Sequence, residues 1–187
     1  MTARNHHRLY RAVKQNQSDV YIFFAGHGLA SDDGEQMYLL PYDGAPELRE
    51  KTAILHKELF DDIASANPRS VTVFLDTCSS GTTRGTDMLI ASRPIAIQAL
   101  KQSVPDNLTV MTAAAGDQTA KPLEEAKHGM FSYFLMEGME GEANTQDNKT
   151  TAGELHSYVQ TNVIQQSSGN QTPELQGDAN RVLVRFE

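Results

Sequence analysis

Two short runs in this chain are apolar at nearly every position rather than at every second one: Val20-Tyr21-Ile22-Phe23-Phe24-Ala25, followed by Gly26, and Val71-Thr72-Val73-Phe74-Leu75, followed by Asp76. A strand with one face in water alternates apolar and polar residues. A near-continuous apolar run needs cover on both faces, which is the condition of a parallel sheet held between helices. Leu108-Thr109-Val110-Met111-Thr112 predicts a third such strand, and Val182-Leu183-Val184 a last short one. Helical stripes lie between them. Leu55, Leu59 and Ile63 recur at every fourth residue and close at Asn67-Pro68. Phe131, Phe134 and Leu135 share a second helix face that Gly138 and Gly141 bring to an end. Thr151-Ala152-Gly153-Glu154 opens a third helix with a capping-box pattern, and Leu155, Val159 and Val163 form its stripe. A helix-like piece over roughly 3–15 precedes the first strand, with Leu9 and Val13 four apart, and the segment from Leu29 to Asp43 reads as a loop or small hairpin arm.

Strands alternating with helices in this way predict an α/β fold, with helices on both faces of a mostly parallel sheet. The length, 187 residues, suits a single domain spanning 1–187. The piece from Ser79 to Asp106 is rich in Ser, Thr, Gly, Arg and Pro, and we read 79–106 as a mobile connection open to processing, with Arg84, Arg93 and Lys101 as exposed basic positions.

A formal net charge of −8 argues against a surface that tracks phosphates, so no nucleic-acid partner is expected, whereas basic peptides are tolerated. No stretch approaches the roughly 18 consecutive apolar residues that span a bilayer. The opening residues Met1 to His7 lack the apolar core of a secretory signal, which makes a cytoplasmic setting the default expectation. The single cysteine, Cys78, has no second thiol in the chain to pair with, and is therefore either an inert side chain or a reactive one.

Its surroundings favour reactivity. In open α/β sheets, ligands gather beyond the carboxyl ends of the strands, where loops vary over a rigid base. One strand leads into Gly26-His27-Gly28 and another into Asp76-Thr77-Cys78-Ser79-Ser80-Gly81. If the two strands are parallel neighbours, His27 and Cys78 stand at the same edge. A free thiol titrates near pH ~8.5, so a nearby imidazole is needed to generate thiolate and later to protonate a leaving amine. Glycines on both sides of His27 permit close approach of a substrate, and the amides of Gly28 and Cys78 are candidate oxyanion donors. Taken singly, a cysteine at a strand end reads as a small core residue and a histidine between glycines as a loop residue. Together they read as a catalytic pair. The other histidines, His6, His7, His56, His128 and His156, form no ligand spacing with a second cysteine, so no metal site is assigned.

These residues resemble the caspase and metacaspase family, bacterial members in particular. Phe24-Ala25-Gly26-His27-Gly28 is similar to the family's histidine motif, and Leu75-Asp76-Thr77-Cys78-Ser79-Ser80-Gly81 to its cysteine motif. The 51 residues between His27 and Cys78 agree with the roughly 50 expected there. The segment from His128 to Leu135 resembles a helix start in the family's small-subunit region, and that from Gln171 to Asp178 resembles a segment near the end of bacterial relatives.

The resemblance implies a caspase-like three-layer α/β/α sandwich and cysteine endopeptidase activity, with Cys78 as nucleophile and His27 as acid/base. Animal caspases carry Gln-Ala-Cys at the nucleophile. This chain has Asp76-Thr77-Cys78, as in metacaspases, whose matching aspartate contacts an arginine or lysine; a protein or peptide substrate with a basic residue before the cut is implied. Ala25 stands where metacaspases often place a pocket-lining serine, so part of that contact is missing. No cofactor is implied, and the calcium dependence of some metacaspases finds no clear acidic motif among Asp32, Asp33, Glu35 and Asp43. The family's usual first strands are not matched ahead of Val20, so the resemblance leaves one edge of the histidine strand to be covered by a companion chain or by self-association. The rival reading is a catalytically silent module that keeps the caspase-like shape and binds a partner protein or peptide.

Overall fold

The computed structural model of the chain describes residues 12–31, 36–78, 106–115, 118–145 and 147–187. The connection read over 79–106 lies outside them except for Asp106, as do Asp32, Asp33, Glu35 and the opening piece as far as Arg11.

Strand β1, Asp19–Ala30, runs parallel to β4, Ser70–Cys78, and β4 runs parallel to β5, Leu108–Thr112. Beyond β1 lie β2, Met37–Leu40, and β3, Ile54–Leu55, each antiparallel to its neighbour; beyond β5 lies β9, Glu174–Gln176, also antiparallel. The six-stranded order is β3-β2-β1-β4-β5-β9, and four of its strands, β1, β3, β4 and β5, point the same way. A single helical turn, α1, Arg49–Thr52, leads into β3, and two short strands, β6, Pro122–Leu123, and β7, His128–Gly129, pair with each other apart from the main sheet.

Two cores sandwich this sheet. On one face, Leu59 and Ile63 of α2, His56–Ser65, pack with Ile22, Val71, Val73, Leu75, Leu108 and Val110. Helix α2 stops where its stripe predicts, with Asn67 taking a positive φ of 48° ahead of Pro68. On the other face, α3, Met130–Glu137, and α4, Ala152–Gln166, bring Phe131, Leu135, Leu155, Val159 and Val163 against Phe74 and Met111. The result is the expected three-layer arrangement. Each such side chain taken fully out of water contributes about 1.5–3 kcal/mol. The capping box at the start of α4 is formed: the Glu154 amide donates to Thr151 Oγ1, and the Thr151 amide donates to the Glu154 carboxylate at 2.8 Å.

The structure departs from the sequence expectations in three places. Strand β1 does not end at Gly26 but continues through His27 and Gly28 to Ala30, because β2 folds back and pairs with it from His27 onward. Nor is β1 buried on both faces: Ile22 is buried, but Tyr21 and Phe23 are 49% and 55% exposed. The α3/α4 core draws on Phe74 of β4, Met111 of β5 and Leu175 of β9 and, among the described residues, on no hydrophobic side chain of β1. Finally, Val182–Arg185, β10, does not join the main sheet but pairs with β8, Lys149–Thr151, beside α4. Along Asp19–Gly26, among the described residues, no strand pairs with β1 on the side opposite β4.

Candidate active site

The parallel pairing of β1 and β4 runs without a break from Asp19 opposite Ser70 to His27 opposite Cys78. Positions 27 and 78 are therefore direct cross-strand partners at the carboxyl end of the sheet's two central strands, about 5 Å apart in the pairing direction. They belong to strands rather than to loops, so sheet hydrogen bonds hold both backbones. Two residues back, and hence on the same sheet face, Ala25 stands opposite Asp76. His27 and Ala25 are exposed, and Asp76 is buried. Gly28 is buried opposite Leu39 in the β1–β2 hairpin, where a Cβ would come within 2.9 Å of the Met37 side chain.

Asp76 lies under the start of α3. The residue before that helix, Gly129, has no side chain with which to cap it. The carboxylate of Asp76 takes that role from the neighbouring strand: its Oδ2 accepts from the Ser132 amide at 3.3 Å and from Ser132 Oγ at 2.5 Å. An N-cap side chain commonly accepts from the third helical amide, and here the acceptor comes from a residue 56 positions away. Burial pushes the Asp76 carboxyl above the usual carboxylate range, and the two bonds from Ser132 oppose that shift. Sequence reasoning singled out Asp76 but not Ser132. The signal was a small polar residue within the apolar run Met130-Phe131-Ser132-Tyr133-Phe134-Leu135.

The Gln171 side chain fixes the approach to α3. Fully buried, it accepts from the Lys121 amide at 2.8 Å and donates to the Ala113 carbonyl at 2.9 Å, just past the end of β5. Lys121 in turn accepts from the Met130 amide at 2.9 Å. A buried primary amide that uses both its donor and its acceptor ties the strand end, the segment after it and the helix start into one unit. The segment from Gln171 to Asp178 thus contributes an internal brace. It also contributes β9, and its Gly177 takes a φ of +99° where a Cβ would lie 2.3 Å from the Leu108 carbonyl oxygen.

Among the described residues, no group of three or more His, Cys, Asp or Glu is placed to hold a metal ion, and no helix is long and apolar enough to cross a membrane. Asp43 is exposed.

No curated protein matches the chain. The family described as the caspase domain matches residues 2–184, nearly the whole length. On that match, and on an α/β sandwich that sets the histidine and cysteine motifs on adjacent parallel strands, the chain belongs to the caspase-domain family of cysteine peptidases.

Proposed function

We propose that this chain is a cysteine endopeptidase that cuts peptide bonds after arginine or lysine through a Cys78–His27 dyad. The observation that supports this reading best is the β1–β4 register, which makes His27 and Cys78 cross-strand partners and sets a buried carboxylate, Asp76, two residues before the nucleophile. The His27 imidazole takes the proton from the Cys78 thiol, and the thiolate attacks the scissile carbonyl carbon. The Gly28 and Cys78 amides stabilise the developing oxyanion. Collapse of the tetrahedral intermediate breaks the C–N bond, and His27 protonates the departing amine. A water that gives its proton to His27 then hydrolyses the thioester, releasing the new carboxyl terminus and restoring the thiol. The chemistry balances with water alone.

Asp76 forms the base of the specificity pocket. A buried, incompletely paired carboxylate is costly, and a substrate guanidinium or ammonium offsets that cost. Arginine is preferred over lysine because its planar fork binds a carboxylate in two places. Ala25, opposite Asp76, supplies no hydroxyl, so among the described residues the pocket rests on the Asp76 carboxylate.

A second reading, a silent binding module, draws support from the aromatic side chains Tyr21 and Phe23 left exposed on β1. We also propose that the open side of Asp19–Gly26 is paired by a companion strand or a second copy of the chain, since unpaired strand edges invite such addition. Light scattering on the purified chain tests that pairing, and a monomer whose β1 amides exchange slowly would end it.

The test of the main reading is titration with a peptidyl acyloxymethyl ketone ending in arginine, followed by intact mass. Stoichiometric labelling that disappears in Cys78→Ala is the expected result. Folded wild-type protein that takes no label would reject the peptidase in favour of the module.

A further inference from the structure

The contact between Asp76 and α3 joins two parts of the chain with different tasks, and it is asymmetric. Both bonds from Ser132 fall on one carboxylate oxygen, Oδ2. Among the described residues, no hydrogen bond is made to Oδ1. A carboxylate held by one oxygen can no longer rotate freely about its χ2, and its other oxygen is kept for whatever enters beside it.

Gly129 closes the same arrangement. A Cβ on this residue would lie 2.2 Å from Asp76 Oδ2, well inside any contact distance. Its backbone sits at φ −59° and ψ 140°, a conformation that any L-residue adopts without strain. Gly129 is thus required by the carboxylate that passes over it and not by the backbone.

We infer that Ser132 and Gly129 are positioning residues for substrate selection: Ser132 locks Asp76 by Oδ2, Gly129 leaves room for that lock, and Oδ1 is thereby presented to the basic side chain before the scissile bond. The inference rests on the proposed cleavage after basic residues and adds which residues, on a different element, set its strength. Loss of the Ser132 hydroxyl removes the short charge-assisted bond. It frees the carboxylate to turn away or to take up a proton, so the cost falls on recognition of the basic group while the dyad on β1 and β4 is untouched. A bond of this kind governs roughly a tenfold change or more in affinity.

The experiment measures kcat and KM for matched peptides with arginine, lysine or a neutral residue before the cut, across pH, for the wild type, Ser132→Ala, Ser132→Thr and Gly129→Ala. Ser132→Ala is expected to raise KM for the arginine peptide at least tenfold, with kcat within about threefold of wild type. It should also move the acid limb of kcat/KM to higher pH, because the carboxylate loses a donor that favours its charged form. Ser132→Thr, which keeps a hydroxyl, should restore both. Gly129→Ala should lose selectivity for basic residues through crowding of Oδ2. An unchanged KM and acid limb in Ser132→Ala, while Asp76→Ala abolishes cleavage after arginine, would overturn the positioning role and leave the peptidase reading standing. If Ser132→Ala does not fold, Gly129→Ala decides: retained arginine preference in that variant overturns the inference. A wild type that cleaves without regard to basic residues overturns the pocket reading itself, and this inference falls with it.

Discussion

Strands β4 and β1 lie side by side, run in the same direction and carry similarly apolar sequences, yet they live in different surroundings. Every residue of β4 from Val71 to Thr77 is buried, whereas β1 exposes Tyr21 and Phe23 and, among the described residues, lacks a strand partner on its far side as far as Gly26. The difference comes from the neighbours. Strand β4 has β1 and β5 on its flanks, α2 on one face and α3 with α4 on the other. Strand β1 shares only the α2 face fully. Hydrophobicity along a strand states what it can bury; the elements packed against it decide what it does bury.

At the end where the site lies, the two strands should matter equally. Cys78→Ala and His27→Ala are each expected to lower turnover of an arginine peptide by about a thousandfold or more, with the circular dichroism spectrum unchanged. Near wild-type turnover in His27→Ala would show that only β4 carries the chemistry.

Within the strands, the contrast should be plain in stability. Leu75→Ala, at a fully buried core position, is expected to cost about 2–5 kcal/mol in urea unfolding. Phe23→Ala should cost less than about 1 kcal/mol, since its ring is half exposed already. Equal losses would mean that the Tyr21–Phe23 face is covered in solution, and would favour a partner on β1.

The face that both strands share is sensitive to acid through His56 of α2. Burial holds its imidazole down at about 4 from an ordinary 6.5, and it stacks edge-on against Phe60. A base whose folded value is depressed is neutral in the native state and takes up a proton more readily when unfolded. The stability it allows is therefore complete above about pH 6.5 and is lost as pH falls toward 4, by up to about 3 kcal/mol. His56→Phe should flatten that part of a stability-against-pH curve. An unaltered slope would place the acid sensitivity elsewhere.

The smallest stability effect expected separates Asp76 from its partner Ala25 on the open strand. The Asp76 carboxyl is raised by burial, so its ionisation penalises the folded state, and the penalty grows as pH rises from the ordinary carboxylate range through the folded value. Asp76→Asn should thus raise the Tm at neutral pH, lose the advantage in acid, and at the same time abolish cleavage after arginine. Ala25→Ser, at an exposed position, should leave the Tm unchanged. A lower Tm for Asp76→Asn at neutral pH would mean that capping α3 needs the charge.

What the sequence made legible was local. The bounds of β5 agree at both ends, because a short apolar run between polar residues is its own signal. The Thr151–Glu154 box opens α4 where its pattern says, because donor and acceptor lie three residues apart. The convergence of His27 and Cys78 was legible only on the condition that their strands were adjacent, which is a fact of topology. What escaped was set by distant partners: the one-sided cover of β1, the pairing of Val182–Arg185 with β8, and the bond between Ser132 and Asp76. None of these has a periodicity to betray it.

The unbroken pairing from Asp19–Ser70 to His27–Cys78 has a consequence for how such a chain can vary in length. Both strands count the same number of residues from their shared start to the site, so the sheet acts as a ruler. One residue added to either strand alone shifts its later positions by one rung and turns them to the opposite face. Matched additions to both would restore the pair but carry Asp76 out of reach of Ser132. An insertion scan should therefore find the interval 19–27 and the interval 70–78 closed to change. The spacing of positions 27 and 78 is thus set by backbone geometry, rung by rung from Asp19 opposite Ser70.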